Sequence, residues 1–326
     1  MGDTYVIIKK DCIIRNQKCR ELLNVYFKNE YSVIYLSYDE TIKFLCDHNK
    51  ENTKIIFYTF NSIDEYDLKV INFIQKSDIL SNIFFILEDW WKIAGSHQVI
   101  QNSVMDIIYN AINYKVIAAF QNIEQLNSYY DKDYSLYIKN ILPFNFWSSY
   151  NSSFIDFNEN TIEKVFLSGH TDINYPERAI MRNINNVFYY TYNMSDIDSF
   201  NNNYNKELNK YLVSFTSSVH IYNESEKKMK NTNCILLKTF EILASGSLLL
   251  MPLTEEIYLQ KIGIKNGYNC ILLDFDKCLN EQINNILDTN NRININKIRY
   301  NGYLHAKNNL TTDKKFSEFN LLIEEN

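Results

Sequence analysis

Lys238-Thr-Phe-Glu-Ile-Leu-Ala-Ser-Gly-Ser-Leu-Leu-Leu-Met-Pro252 is the stretch that decides the fold. It reads as a helix that stops at a glycine, followed by a strand that is apolar at every position. Gly246 fits the position just past a helix end, where a positive φ is wanted. Leu248–Met251 lacks the polar alternation of a half-exposed strand, so it reads as buried on both faces, as strands of parallel sheets are. Glu241 stands out as a carboxylate inside this apolar segment. One reading is a charge favourably placed near a helix start. The other is a ligand contact, since Ala244 and Ser245, one turn on, are small enough to let a ligand approach the backbone.

The alternation of strand and helix continues outward in both directions. Val165–Ser168, Val187–Tyr190, Leu212–Thr216, Leu248–Met251 and Cys270–Leu273 read as strands. Tyr175–Asn185, Asn205–Tyr211, Leu236–Ser245, Glu255–Ile262 and Leu279–Leu287 read as helices, and Ile298–Glu325 as a helical tail. The first 143 residues carry the same pattern: strands at Tyr5–Ile8, Ser32–Leu36, Lys54–Tyr58, Asn82–Leu87, Lys115–Phe120 and Leu136–Ile141, with helices at Cys19–Lys28, Glu65–Lys76, Gln98–Asn113 and Ile123–Tyr130. Such alternation implies right-handed crossovers and parallel sheets. A chain of 326 residues has room for two domains at roughly 150 residues each. The expected division is 1–143, a linker at 144–160, a second domain at 161–310, and a last helix at 311–326 that returns to the first domain.

Five further pieces surround the opening stretch in a fixed order. Upstream are Lys164-Val-Phe-Leu-Ser-Gly-His170, then Tyr175-Pro-Glu-Arg178, and Leu212-Val-Ser-Phe-Thr-Ser-Ser218. Downstream are Ile262-Gly-Ile-Lys-Asn-Gly-Tyr-Asn-Cys-Ile-Leu-Leu-Asp274 and Leu310-Thr-Thr-Asp-Lys-Lys315. Together they resemble the donor domain of GT-B glycosyltransferases, in particular the group-1 branch that includes spore-maturation-like proteins. The resemblance covers about residues 165–315. It implies an α/β, GT-B-like fold: two Rossmann-like domains with parallel sheets facing a cleft. It also implies transfer of a sugar from a nucleotide-sugar donor (UDP-, GDP- or dTDP-linked) to a hydroxyl of a glycan, protein or small-molecule acceptor, with neither metal nor further cofactor. By position, Glu241 would accept from the ribose hydroxyls and Lys238 would neutralise the diphosphate. Gly169 would let a loop backbone approach the diphosphate closely. Arg178 would add a second cation, and the hydroxyls of Ser217 and Ser218 would line the same pocket. The chain departs from the family pattern at Asn233 (usually Glu), Leu310 (usually His) and Lys315 (usually Arg), which leaves the stereochemical course open. A nucleotide-sugar epimerase, and a catalytically inactive nucleotide- or sugar-binding module, are the rival readings.

In the first half, Phe84-Phe-Ile-Leu-Glu-Asp-Trp-Trp91 is a strand ending in two carboxylates and two indoles. Strand carboxyl ends are where α/β sheets bind ligands. Trp90 and Trp91 are therefore candidate acceptor contacts, and Asp89 and the nearby His97 are candidate general bases. His170, beside Gly169, competes for that role. A polar strand end with core aromatics, and a structural histidine, are the alternatives.

Other classes are excluded on specific grounds. Asp274-Phe-Asp276 resembles a metal-binding Asp-x-Asp, but Asp196-Ile-Asp198 and Asp131-Lys-Asp133 show how common that pattern is here. No phosphate loop, GxGxxG, GxSxG or HExxH occurs. The six cysteines are scattered, with no CxxC pair, which points to reduced thiols rather than zinc or a disulfide scaffold. A net charge of −6 gives no global reason to bind nucleic acid or an anionic membrane. The first residues do not read as a signal peptide and no apolar run is long enough to cross a membrane, so a cytoplasmic location is expected. The 45 Asn against 7 Ala match A- and T-rich codons, and this bias carries no functional reading.

Overall fold

A computed structural model describes residues 3–10, 21–59, 65–87, 113–118, 140–145, 147–191, 197–223 and 228–326. The chain divides into two units. Unit 1 comprises Met1–Phe146, Ile221–Lys230 and Phe319–Asn326, and unit 2 comprises Trp147–His220 and Asn231–Glu318.

Unit 1 holds strands β1 (Thr4–Lys9), β2 (Ser32–Leu36), β3 (Lys54–Thr59), β4 (Asn82–Leu87), β5 (Lys115–Ala118) and β6 (Ile141–Pro143). They form one sheet in the order β2-β1-β3-β4-β5-β6, every pair parallel. Val6, Ile8, Ile55, Ile56, Phe84 and Phe85 are fully buried, which is why these strands read as continuous apolar runs. Between β1 and β2 the chain makes a π-helical turn, Leu22–Phe27, that buries Leu22, Leu23, Tyr26 and Phe27. Helices α1 (Tyr38–Asp47) and α2 (Glu65–Lys76) follow β2 and β3. The sequence reading lacks α1, which buries Thr41 and Leu45. What starts this helix is a capping box: Glu40 reaches back to accept from the Ser37 backbone N–H at 2.8 Å. That bond, first among its causes, pulls the Glu40 carboxyl down to about 2. The expected helix at 123–130, all but the last residue of that at 98–113, and the start of the strand at 136–141 lie outside the described residues.

Unit 2 holds β7 (Ile162–Ser168), β8 (Val187–Tyr190), β9 (Tyr211–Phe215), β12 (Leu248–Pro252) and β13 (Ile271–Leu273), in the order β13-β12-β9-β7-β8, again all parallel. Strands β10 (His220–Asn223) and β11 (Lys228–Asn231) pair as a separate two-stranded sheet. The helices of the second half are α3 (Pro176–Met181), α4 (Ile197–Lys210), α5 (Leu237–Ala244), α6 (Glu256–Lys261), α7 (Leu279–Leu287), α8 (Arg292–Asn309) and α9 (Thr312–Glu325). One sheet face packs Val165, Leu167, Val213, Phe215, Leu248 and Leu250 against Met181, Ile283, Ile286, Ile295 and Ile298 of α3, α7 and α8. The expected single helical tail is two helices. The chain breaks at Leu310, whose carbonyl accepts from the Ser149 N–H at 2.7 Å, and the Thr312 hydroxyl lies 3.1 Å from that of Ser148. The residues expected as a linker thus differ from that reading: Trp147, Ser148, Ser149, Tyr150 and Ser153 are buried parts of unit 2.

Gly302 lies on α8, where that helix packs against α5. In a helix interior Ala normally outdoes Gly by about 1 kcal/mol. Here an added methyl would sit 2.7 Å from the Asn269 carbonyl oxygen and 3.0 Å from Leu243 Cδ2. Asn269 has little freedom to yield, since its side chain accepts from the Lys265 N–H and donates to the Gly263 carbonyl. Gly302→Ala is therefore expected to lower stability by about 1–3 kcal/mol, the usual cost of overpacking. Urea unfolding checks this, and an unchanged or raised midpoint would show that the 263–270 loop gives way.

Candidate functional site

Chain order in unit 2 reverses between β7 and β9: β8 flanks one side, while β9, β12 and β13 follow one another on the other. Loops leaving the carboxyl ends diverge at such a point and open a ligand-sized crevice. β7 ends at Ser168. Gly169 follows with φ +90°, and a Cβ there would lie 3.1 Å from Lys238 Cε and 3.3 Å from Arg178 Nη1. Glycine is needed both for the backbone turn and for the approach of two cationic side chains.

Arg178 comes from α3, which Pro176 opens in its first turn. It is buried, with a guanidinium that stacks 4.1 Å over the Tyr175 ring and donates through Nη2 to Thr216 Oγ1 (3.2 Å) and the Ser217 carbonyl (2.9 Å). The arginine thus braces the loop leaving β9. Among the described residues no hydrogen-bond partner meets its Nε, nor the buried Ser217 hydroxyl.

Lys238 is the second residue of α5. Its ammonium donates to Ser168 Oγ and Tyr204 Oη, each at 3.2 Å, and those hydroxyls lie 2.8 Å apart. Burial pushes Lys238 down to about 8. The Glu241 carboxylate opposes that shift and Arg178 adds to it. Glu241 stands three residues along the same helix, hence on the same face. It is the fifth residue of α5, not a first-turn charge, which removes the helix-start reading. It is only 8% exposed, and among the described residues no hydrogen-bond donor meets its carboxylate. A carboxylate left with open acceptors beside a lysine can receive hydroxyls. Gly246 takes the expected positive φ (+75°) past the helix end.

Ser218 is differently placed. Its hydroxyl donates to Glu255 Oε2 at 2.7 Å, its backbone N–H to Glu255 Oε1 at 2.8 Å, and the Cys234 carbonyl lies 2.9 Å from Oγ. Burial raises the Glu255 carboxyl to about 7 despite those two bonds. Glu177 of α3 approaches His220 Nε2 at 2.8 Å. His170 is exposed, with its ring 6.4 Å from that of Tyr175. Asp89, Trp90, Trp91 and His97 lie outside the described residues. The structure therefore brings Gly169, Arg178, Lys238, Glu241 and Ser217 to one sheet edge, with the Ser218 hydroxyl turned to Glu255 beside them, and adds Ser168, Tyr204 and Glu255. Sequence reasoning missed these three. Glu255 carried a signal, a carboxylate three residues past a buried strand. Tyr204, in an Asn-rich helix, carried none.

Two cavities lie elsewhere. One of about 700 Å³ opens at the amino ends of β1, β2 and β3, lined by Asp3, Tyr31, Lys54 and Asn320. One of about 330 Å³ lies beside β13, lined by Gln282, Asn285, Asn291 and Asn294. Among the described residues no helix is long and apolar enough to cross a membrane.

No family model and no curated protein sequence matches the chain. Solved structures do. HepE from Anabaena, determined with UDP and glucose, aligns over 100% of both chains at 9% identity with a TM-score of 0.59. A glycosyltransferase from Rickettsia africae aligns over 99% of this chain and 98% of its own at 8% identity, TM-score 0.53. The pneumococcal O-GlcNAc transferase GtfA, determined with UDP and GlcNAc, aligns over 92% of this chain at 13% identity, TM-score 0.50, and the chain spans 62% of that protein. The fold is of the GT-B type.

Within this GT-B chain the buried Glu255 makes a measurable forecast. Its carboxyl is raised from 4.5 to about 7 on folding. Its contribution is fully present below pH 4.5 and is lost as pH rises through 7. Glu255→Gln cannot titrate and keeps an acceptor for the Ser218 N–H. From pH 5 to pH 8 wild type is expected to lose stability relative to the variant, by on the order of 3 kcal/mol. Urea unfolding at both pH values reads this, and a constant difference would mean that Glu255 stays ionised throughout.

Proposed function

We propose that the chain transfers a sugar from a nucleotide-sugar to an acceptor hydroxyl, and that the donor's diphosphate binds at Gly169. The observation that carries this reading is the meeting of Lys238 and Arg178 at a glycine on the switch point of a parallel sheet, with Glu241 one turn along α5. Two adjacent cations away from bulk water repel each other and cost stability unless an anion joins them. A diphosphate supplies that charge, the bare Gly169 backbone admits it, and the open Glu241 acceptors suit vicinal ribose hydroxyls. The likeness to UDP-bound GT-B structures supports the same reading.

In the proposed reaction the acceptor oxygen attacks the anomeric carbon as the bond to the diphosphate oxygen breaks. A base takes the hydroxyl proton. Lys238, as a fixed positive charge, stabilises the departing diphosphate without reorganisation, so no metal is required by the charge balance. The acceptor side is assigned to unit 1, where the sequence offers Trp90 and Trp91 as sugar contacts and Asp89 or His97 as base. His170 is the alternative base on the donor side.

Calorimetric titration with UDP, GDP and dTDP, followed by product analysis with the matching nucleotide-sugars, tests the reading. Glu241→Gln keeps the size and one acceptor of the side chain. It is expected to weaken nucleotide binding by about 1.5–3 kcal/mol, or roughly 10- to 150-fold, with no loss of melting temperature. Unchanged affinity with a lowered melting temperature would make Glu241 a structural residue. Tight binding without turnover would favour an inactive binding module, and release of an isomerised nucleotide-sugar would favour an epimerase.

A further inference from the structure

Lys238 Nζ, Ser168 Oγ and Tyr204 Oη form a closed triangle with sides of 3.2, 3.2 and 2.8 Å. Its corners come from three elements: the end of β7, α4 and the start of α5. Ser168 and Tyr204 are both buried. An ammonium has three donors on a stem that normally rotates freely. Here two of them are committed to two fixed hydroxyls. The stem is held as well, with Cε close to Gly169 on one side and the ammonium 4.6 Å over the Tyr204 ring on the other. With two N–H directions pinned, the third has a single direction. Among the described residues no acceptor meets that third N–H.

We infer that Ser168 and Tyr204 are positioning residues that aim the Lys238 ammonium at the anion site, leaving one N–H for the ligand; this rests on the nucleotide-binding reading above. Two hydroxyl acceptors also favour the charged form of the amine, against burial. The charged and titratable groups that face Lys238 are Glu241 on its own helix, Arg178 from α3 and Tyr204 from α4. Ser168 contributes a hydroxyl only. Preorientation of this kind spares the side-chain ordering that a free lysine undergoes when it binds phosphate. Neither residue is marked by a sequence motif of its own. Ser168 is the last residue of a buried strand, and Tyr204 sits among asparagines.

The test separates the hydroxyl from the ring. Tyr204→Phe keeps the ring under the ammonium and removes one acceptor, and Ser168→Ala removes the other. In the full chain without nucleotide, acetylation of Lys238 is followed by peptide mass spectrometry across a pH series. Loss of either hydroxyl is expected to shift the titration of Lys238 downward, so that at pH 7 the amine reacts about threefold to tenfold faster, with melting temperature nearly unchanged. A titration that stays put in both variants overturns the assignment, whatever the nucleotide does. Calorimetric titration with UDP forms the second arm. Tyr204→Phe is expected to bind UDP about 5- to 20-fold more weakly at pH 7, and addition of UDP is expected to protect Lys238 in wild type. If Lys238 shifts as expected while no variant and no wild type binds UDP, the positioning role stands and the nucleotide reading falls. If UDP binds equally well to wild type and Tyr204→Phe, the hydroxyl does not aim the ammonium and the inference fails.

Discussion

Two cationic side chains from different helices converge on one glycine at the reversal point of the unit 2 sheet, and the functional account depends on that convergence. Left alone, a half-buried ammonium beside a buried guanidinium is an unfavourable arrangement. The surroundings offset it in part. Tyr175 and Tyr204 present ring faces to the two charges, Thr216 and Ser217 accept from the arginine, Ser168 and Tyr204 accept from the lysine, and Glu241 supplies a compensating charge. Gly169 is the constraint that allows the rest. Any side chain there meets Lys238 and Arg178, and the positive φ excludes most residues before that contact is reached.

The short helix α5 carries both Lys238 and Glu241, so its placement sets the site's geometry. An eight-residue helix is marginal by itself. Tertiary bonds hold it instead. The Ser149 hydroxyl donates to the Phe240 carbonyl, Asn209 to that of Ser245, and the buried Arg299 to that of Gly246. The bonds from Asn209 and Arg299 satisfy carbonyls beyond the helix end that have no partner inside it, and Ser149 fixes the middle of the helix from the side. Arg299 also donates to the Asn158 carbonyl and packs 4.8 Å over Phe157, which ties the segment at 157–158 to the end of α5. The buried Ser148, Ser149 and Ser153, outwardly linker-like, belong to this scaffold.

The parallel architecture was legible because strands buried on both faces leave unbroken apolar runs. Leu248–Pro252 and Asn82–Leu87 are clear examples, and Gly246 marked the end of α5 through its backbone demand. Other features left weaker traces. Helix α1 buries only Thr41 and Leu45, and the Ser37–Glu40 capping spacing is its clearest mark in the sequence. Helix α4 runs from Ile197, although its periodic signal begins near Tyr204, because its first turns are polar and rich in asparagine. At the site, Glu241 stood out as a charge in an apolar segment and Gly169 as a glycine after a strand, while Lys238 was reached by position through the resemblance. Tyr204 left no trace in the sequence, and Glu255 only its place after a buried strand, since their roles come from hydrogen bonds to residues 34 and 37 positions away.

The measurement that bears most directly on the central claim is proton uptake on nucleotide binding. Free Lys238 titrates near 8. At pH 8.5 most of it is neutral, and an arriving diphosphate raises its proton affinity. Calorimetric titration of UDP in two buffers of different ionisation enthalpy should therefore reveal uptake of roughly three quarters of a proton per nucleotide at that pH. Lys238→Met should abolish this uptake. Binding of UDP with no proton exchanged, or with an uptake that survives Lys238→Met, would contradict a diphosphate site built around Lys238.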